Sequence, residues 1–267
     1  MVKSPNKWEL DVQGYWNVCN ISDPTSRQQI RDFSAGVNDL GLWDSMVCWP
    51  LRSAQNYGSG TTAFSLGGLG TFNSTLVNGP TWGANGCPFT TTQYANATIT
   101  ALSQDVTLLF CGAGDASTHP GFPHFFGVQD SANWSGNQIC IGSNAGSTTI
   151  GTIHRNSTTA IAYTGSATNP YNAATSFVFV SGTGKTADLL NFRNVSTPSI
   201  TSSGSTATAG TANLNRMQLN GRWAGSLSLG VGMTCAFAAI VTPNINGSEA
   251  SVYSLYKTTL GTGLGLP

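Results

Sequence analysis

A chain of 267 residues with 40% hydrophobic and 10% aromatic content holds enough apolar material for one large core, and one all-β domain of this size is ordinary. Only 8% of its residues are charged, 11 basic against 11 acidic, where a typical soluble chain carries roughly 25%. No long-range field draws a polyanion or an anionic membrane toward such a chain, which excludes nucleic acid and lipid surfaces as partners, and nothing collective opposes close self-packing.

Residues 1–22 carry Trp8, Leu10, Tyr15, Trp16 and Val18 in a short mixed segment. It reads as an arm or edge strand laid on the body, docked on the chain's own core or on a neighbouring subunit. The opening lacks the basic-then-apolar-then-small order of a secretory signal, so export is expected only by lysis or on another particle. Residues 23–267 read as one domain. Asp23 before Pro24 marks a helix start, with a carboxylate to cap backbone N–H groups and a proline tolerated in the first turn. Ile30, Phe33, Val37 and Leu40 then recur at three and four residues, and Gly41 can stop the turn, which predicts an amphipathic helix over 24–40. Its stripe needs a partner, most simply the sheet that follows.

From Gly41 to Thr90, apolar anchors such as Trp43, Trp49, Leu66 and Trp82 alternate with glycine pairs and Asn-Gly steps, which bends an extended chain repeatedly. From Ala95 the period becomes two, and many strand-like segments of four to eight residues follow, separated by turn formers. Many short strands with few helices imply an antiparallel sandwich or jelly roll spanning about 48–245. The longest apolar run, Met233 to Val241, is far short of the roughly 20 residues of a membrane helix. A second helix is predicted over about 248–260, capped by Ser248 and with Val252, Leu255, Tyr256 and Leu260 on one face. The apolar tail GTGLGLP either tucks back or reaches a partner. Cys19, Cys48, Cys87, Cys111, Cys140 and Cys235 are spread singly, with no Cys-x-x-Cys pair, and read as buried thiols or disulfides.

Two stretches carry a resemblance. GLWDSMVCWPLRSAQNYGSGTTAFSLGGLGTFNSTLVNGPTWGANGCPFT and CAFAAIVTPNINGSEASVYSLYKTTLGTGLGLP resemble the opening and close of concanavalin A-like, laminin-G-like jelly-roll domains found in bacteriophage structural proteins. The resemblance spans roughly 24–267 and its motifs are structural. It implies an all-β, antiparallel jelly-roll sandwich with a lead-in helix and a short C-terminal helix. The family holds lectins, glycosidases and virion components, so function must come from residues.

Those residues offer little chemistry. The chain has two glutamates, Glu9 in the arm and Glu249 at the last helix, neither placed to line a groove, whereas glycoside hydrolysis needs two flanking carboxyl groups. His119, His124 and His154 are the available bases, without a Gly-x-Ser-x-Gly elbow. His119 and His124 bracket a Pro-Gly-Phe-Pro loop that reads as a rigid turn, with metal ligation the alternative. Gly184-Lys185-Thr186 ends a phosphate-loop-like segment, but Phe179 sits where the first glycine belongs, so Ser181 to Lys185 reads as a hairpin turn. Asp115, with Asp130 or Asn133, is the least unfavourable set for calcium, and ordinary loop chemistry is the plainer reading of these residues. Trp134, with Asn133 beside it, is a loop aromatic flanked by amides, suited to stacking on a sugar or to covering a core edge.

The sequence reading is therefore a non-enzymatic virion protein of a bacteriophage, a capsid-decoration or tail/fibre component without cofactor. Its expected partners are other virion proteins and itself as a homo-oligomer, and its expected location is the virion. The alternative is a carbohydrate-binding module for host attachment, with glycan as the partner and Asn133 and Trp134 as its contacts.

Overall fold

Asp23 performs the capping role its position suggests: its carboxylate accepts the Ser26 N–H at 2.7 Å and opens Pro24–Asp39 (α2). Gly41, at φ +71°, takes the left-handed backbone that ends it. The computed structural model describes residues 5–103, 105–114, 124–130, 138–143, 149–156, 160–168, 177–183, 189–193, 200–203, 214–223, 227–228, 230, 232–245 and 247–266.

The N-terminal segment differs from expectation. It is not an edge strand but a helix, Lys7–Val18 (α1), laid on the body. The Glu9 carboxylate accepts the Asn6 N–H at 2.7 Å and stabilises its first turn. Val12 and Tyr15 are buried, the Tyr15 hydroxyl donating to the Gln55 carbonyl at 2.8 Å. The helix thus packs on the chain's own body. At the other end Glu249–Thr258 (α3) forms as predicted, but Ser248 supplies no capping bond; the Glu249 carboxylate instead accepts the Gly247 N–H at 2.8 Å. The tail tucks back, with Leu264 and Leu266 buried.

Among the described residues, two antiparallel sheets form the body. One contains Met46–Pro50 (β1), Cys87–Phe89 (β4), Thr107–Gly114 (β6), Val178–Thr183 (β11), Leu189–Arg193 (β12), Ile200–Ser203 (β13) and Met233–Val241 (β17). Its order is β1-β17-β6-β11-β12-β13, and β4 shares the β17 edge with β1. The other contains Thr62–Ala63 (β2), Ser74–Val77 (β3), Tyr94–Leu102 (β5), His124–Gln129 (β7), Gln138–Ser143 (β8), Thr149–Asn156 (β9), Ala160–Thr168 (β10) and Leu214–Leu219 (β14). Its order is β10-β9-β8-β7-β14-β5-β3-β2. A short separate ribbon pairs Arg222–Trp223 (β15) with Leu227–Ser228 (β16). The chain passes repeatedly from sheet to sheet, and the fold is the all-β antiparallel sandwich with lead-in and tail helices that the sequence predicts.

Strand side chains alternate between faces, and this separates two cores. Val47, Trp49, Leu108, Phe110, Ala238 and Ile240 enter the layer between the sheets, where they meet Ala97, Phe126, Ile139 and Met217. The intervening Cys48, Leu109, Cys111, Phe237 and Ala239 face the other way, toward Ile30, Phe33 and Val37 of α2 and Val252, Tyr253 and Tyr256 of α3. Phe237 sits edge-on to Phe33 at 5.6 Å and tilted against Tyr256 at 4.6 Å. The β6 and β17 segments therefore read as nearly unbroken apolar runs, since both their faces are covered. The helical layer covers the seven-stranded sheet; on the eight-stranded sheet Gly127, Gln129, Gln138, Cys140 and Gln218 are buried as well, while Thr75 and Thr98 are exposed.

Candidate functional site

Met217 and Leu219 of β14, Phe126 and Val128 of β7, Ile139 and Ile141 of β8, and Ala95, Ala97 and Ile99 of β5 all enter the inter-sheet core. The residues between them consequently lie on the outer face. Register aligns these into two rows. Thr98, Arg216, Gln129 and Gln138 stand opposite one another across β5, β14, β7 and β8. Beside them run Thr62, Thr75, Asn96, Gln218, Gly127 and Cys140 across β2, β3, β5, β14, β7 and β8. At ~4.8 Å between strands, the first row is about 14 Å long.

This face passes from wet to dry along each row. Thr75 and Thr98 are exposed, Asn96 and Arg216 half-buried, and Gln218, Gln129 and Gln138 only 3%, 4% and 5% exposed. Buried polar atoms are normally paired. Here Gln129 Nε2, Gln138 Oε1 and both Nε2 and Oε1 of Gln218 lack a hydrogen-bond partner among the described residues. Gly127 lets β8 approach closely: a Cβ there would lie 2.7 Å from Cys140 Cβ and 3.1 Å from the Ile139 carbonyl oxygen. These amides are sealed from solvent, and the part of the rows open to a hydroxyl-bearing ligand is the end at Thr75, Asn96, Thr98 and Arg216.

Of the residues singled out in the sequence, Asp130 follows Gln129 directly at the end of β7 and is half-buried. Asp115, His119, Asn133 and Trp134 lie outside the described residues. The chain that carries Asn133 and Trp134 connects β7 to β8, leaving the sheet after Gln129 and returning at Gln138. His124 is buried at the start of β7, and among the described residues no three His, Cys, Asp or Glu side chains group as a metal site. Gly184, Lys185 and Thr186 also lie outside the described residues. The flanking β11 and β12 pair antiparallel with Thr183 opposite Leu189, so the two strands form a hairpin and Ser181–Thr183 belong to its first strand. The glutamine group was missed because each member is one polar residue in an apolar alternation (GVQD, NQICIG, RMQLN), and only that alternation signalled an outward position.

All six cysteines are buried thiols. Burial pushes Cys19, Cys87 and Cys111 up to about 12 and Cys235 well above the usual thiol range, so they are inert in the folded chain. A surface cleft of about 340 Å³ lies between α1 and residues 64–73, lined by Leu10, Gly14, Val18, Phe64 and Asn73 among others. Leu10 and Val18 are 52% and 53% exposed there. No helix among the described residues is long and apolar enough to cross a membrane.

No family model and no curated protein matches the chain. Solved structures do. A mutant of Trypanosoma rangeli sialidase displaying trans-sialidase activity aligns with a TM-score of 0.57 at 11% identity, over 88% of this chain and 39% of its own. A botulinum neurotoxin type C structure concerned with interaction with two ganglioside molecules gives 0.52 at 12%, over 81% and 53%. The binding domain of botulinum neurotoxin DC in complex with SialylT gives 0.51 at 10%, over 79% and 51%. The chain thus spans about two-fifths to half the length of these structures, and at such identities the likeness establishes the shared sandwich fold.

Proposed function

We propose that this chain is a non-catalytic carbohydrate-binding β-sandwich whose ligand lies on the outer face of the eight-stranded sheet. The observation that carries the reading is the open end of the two rows, where register sets exposed Thr75 and Thr98 beside half-buried Asn96 and Arg216 across β3, β5 and β14. A sugar presents hydroxyls that both donate and accept, and such a face can meet several at once. The fold supports the reading, being shared with a sialidase solved in complex with sialic acid and with a neurotoxin binding domain solved in complex with SialylT. Asn133 and Trp134, which lie outside the described residues, are carried into the test as the amide and the aromatic that the sequence offers for a sugar.

The placement of the two glutamates supports the non-catalytic part of the proposal. Glu9 is engaged at the start of α1 and Glu249 at the start of α3, away from this face. Testing requires a glycan array probed with labelled protein, alongside Asn96→Ala and Trp134→Ala variants. Saturable binding that weakens in Asn96→Ala supports the reading, and absence of binding to every glycan defeats it.

A second reading is the virion subunit of a bacteriophage, in capsid or tail. It draws on the exposed Leu10 and Val18 of α1 together with zero net charge, which suit packing against copies or neighbours. Light scattering on the purified protein separates the two: a discrete oligomer disrupted by Leu10→Ser/Val18→Ser, with no glycan bound, favours the subunit.

A further inference from the structure

We infer that the cleft between α1 and residues 64–73 receives one uncharged, N-acetylated sugar unit of the ligand. The inference rests on the carbohydrate-binding reading and deepens it. Asn73, on the cleft wall, stands two residues before Thr75 of β3, so the cleft meets the open end of the sheet's outer face and a glycan lying there can turn a terminal unit inward. The cavity measures about 340 Å³, at the small end of the ~300–1,000 Å³ of ligand pockets. Its apolar lining is open to water: Leu10 and Val18 are 52% and 53% exposed, and they share the cleft with half-buried Phe64, whose ring is braced edge-on by Tyr57 at 5.8 Å. Gly14 lies midway between Leu10 and Val18 on α1, and a Cβ there would meet nothing within 4 Å. Glycine is the poorest helix former after proline, and no neighbour in the fold requires it at this position. Its effect is to leave one wall of the cleft open.

Two polar groups of the lining are oriented by the fold and still have capacity to spare. Asn73 Oδ1 accepts the Ser65 N–H at 3.1 Å; a backbone donor can face only the oxygen, so the amide is fixed and its Nδ2 hydrogens have no partner among the described residues. Asp11 Oδ2 accepts the Trp43 Nε1–H at 3.0 Å and lies 3.5 Å from Lys7 Nζ, which leaves Oδ1 as an acceptor. A donor, an acceptor and an apolar surface in one cleft match the three parts of an acetamido group. Its carbonyl takes the Asn73 N–H, its N–H gives to Asp11, and its methyl covers Leu10, Val18 and Phe64. A hexose without that group would lay hydroxyls on the apolar lining, where they find no partner. Asp11 is the one charged residue lining the cleft, so a sugar bearing a carboxylate meets a like charge there and a neutral one does not.

The test is calorimetric titration of the full chain with oligosaccharides ending in N-acetylglucosamine or N-acetylgalactosamine, in glucose or galactose, and in sialic acid. It is repeated on Gly14→Leu, which fills the cleft from a helix position with free space around it, and on Asn73→Asp, which keeps the oxygen that Ser65 needs and removes the donor. Asn96→Ala serves as the control for the sheet face, and each variant is checked for native circular dichroism. The expected result is binding of an N-acetylhexosamine-terminated glycan, at least tenfold weaker for the hexose and sialic acid termini and at least tenfold weaker in Gly14→Leu and Asn73→Asp. The inference is overturned if both folded variants bind within twofold of wild type, or if glycans without a neutral acetamido terminus bind as tightly. Weakening in Asn96→Ala alone would then leave binding on the sheet face standing. No binding to any of the glycans overturns both.

Discussion

Gln218→Leu should raise stability, while Met217→Ala one residue away should lower it sharply. Gln218 is 3% exposed with neither amide end partnered, and an unmatched buried polar group costs about 1–3 kcal/mol. Removing two such ends gains more than that on paper. Part is offset because leucine would sit opposite the polar Asn96, leaving an expected net gain of about 1–2 kcal/mol. For a chain of this length that is a rise in Tm of roughly 2–8 °C. Met217 points into the inter-sheet core at 0% exposure, and its truncation should cost about 2–5 kcal/mol. Differential scanning calorimetry with urea denaturation at unchanged m-value measures both. If Gln218→Leu instead loses more than about 1 kcal/mol, the amide is held by partners in the folded protein and the reasoning from its unmet ends is refuted.

Trp49 is fully buried and its Nε1–H donates to the Phe72 carbonyl at 2.8 Å; Trp49→Phe should cost about 1–3 kcal/mol in urea unfolding by orphaning that oxygen and shrinking the core contact. Gly86 holds φ +143° with a Cβ position 2.5 Å from the Cys235 carbonyl oxygen, so Gly86→Ala should destabilise by about 2 kcal/mol or more through strain and displacement of β17, seen as a lowered melting temperature. Burial raises the Cys111 thiol from about 9 to about 12. Its contribution is whole below pH 9 and is lost as pH rises toward 12, amounting to about 1.4 kcal/mol by pH 10; chemical denaturation at pH 8 and pH 10 should show the fall, and a Cys111→Ala chain should show less of it.

Much of this architecture was legible in one dimension. The Asp23-Pro24 start, the stripe of Ile30, Phe33 and Val37 and the stop at Gly41 are local signals acting within a few turns, so α2 appeared where they place it. The α1 helix did not read out because its apolar residues do not share one face: Leu10 and Val18 are in solvent while Val12 and Tyr15 are inside. Asn6 and Glu9, spaced as a capping pair, were the available signal. The unbroken β6 and β17 runs announced burial but not by what, since a strand covered on both faces looks the same whether helices or a second sheet do the covering.

Composition, turn residues and alternation by themselves determined that this chain closes antiparallel β layers with a helix at the lead-in and another at the end. These features act between neighbours in sequence, and the chain carries them wherever it goes. Which outward residues stand side by side was decided only in three dimensions. Gln129, Gln138 and Gln218 come together through pairings of β14 with β7 and of β7 with β8, and a shift of one residue in either register would turn its glutamine into the core. That register is held by Phe126, Val128, Ile139, Met217 and Leu219 packing on the other side of the same sheet, so the apolar face fixes the position of the polar one.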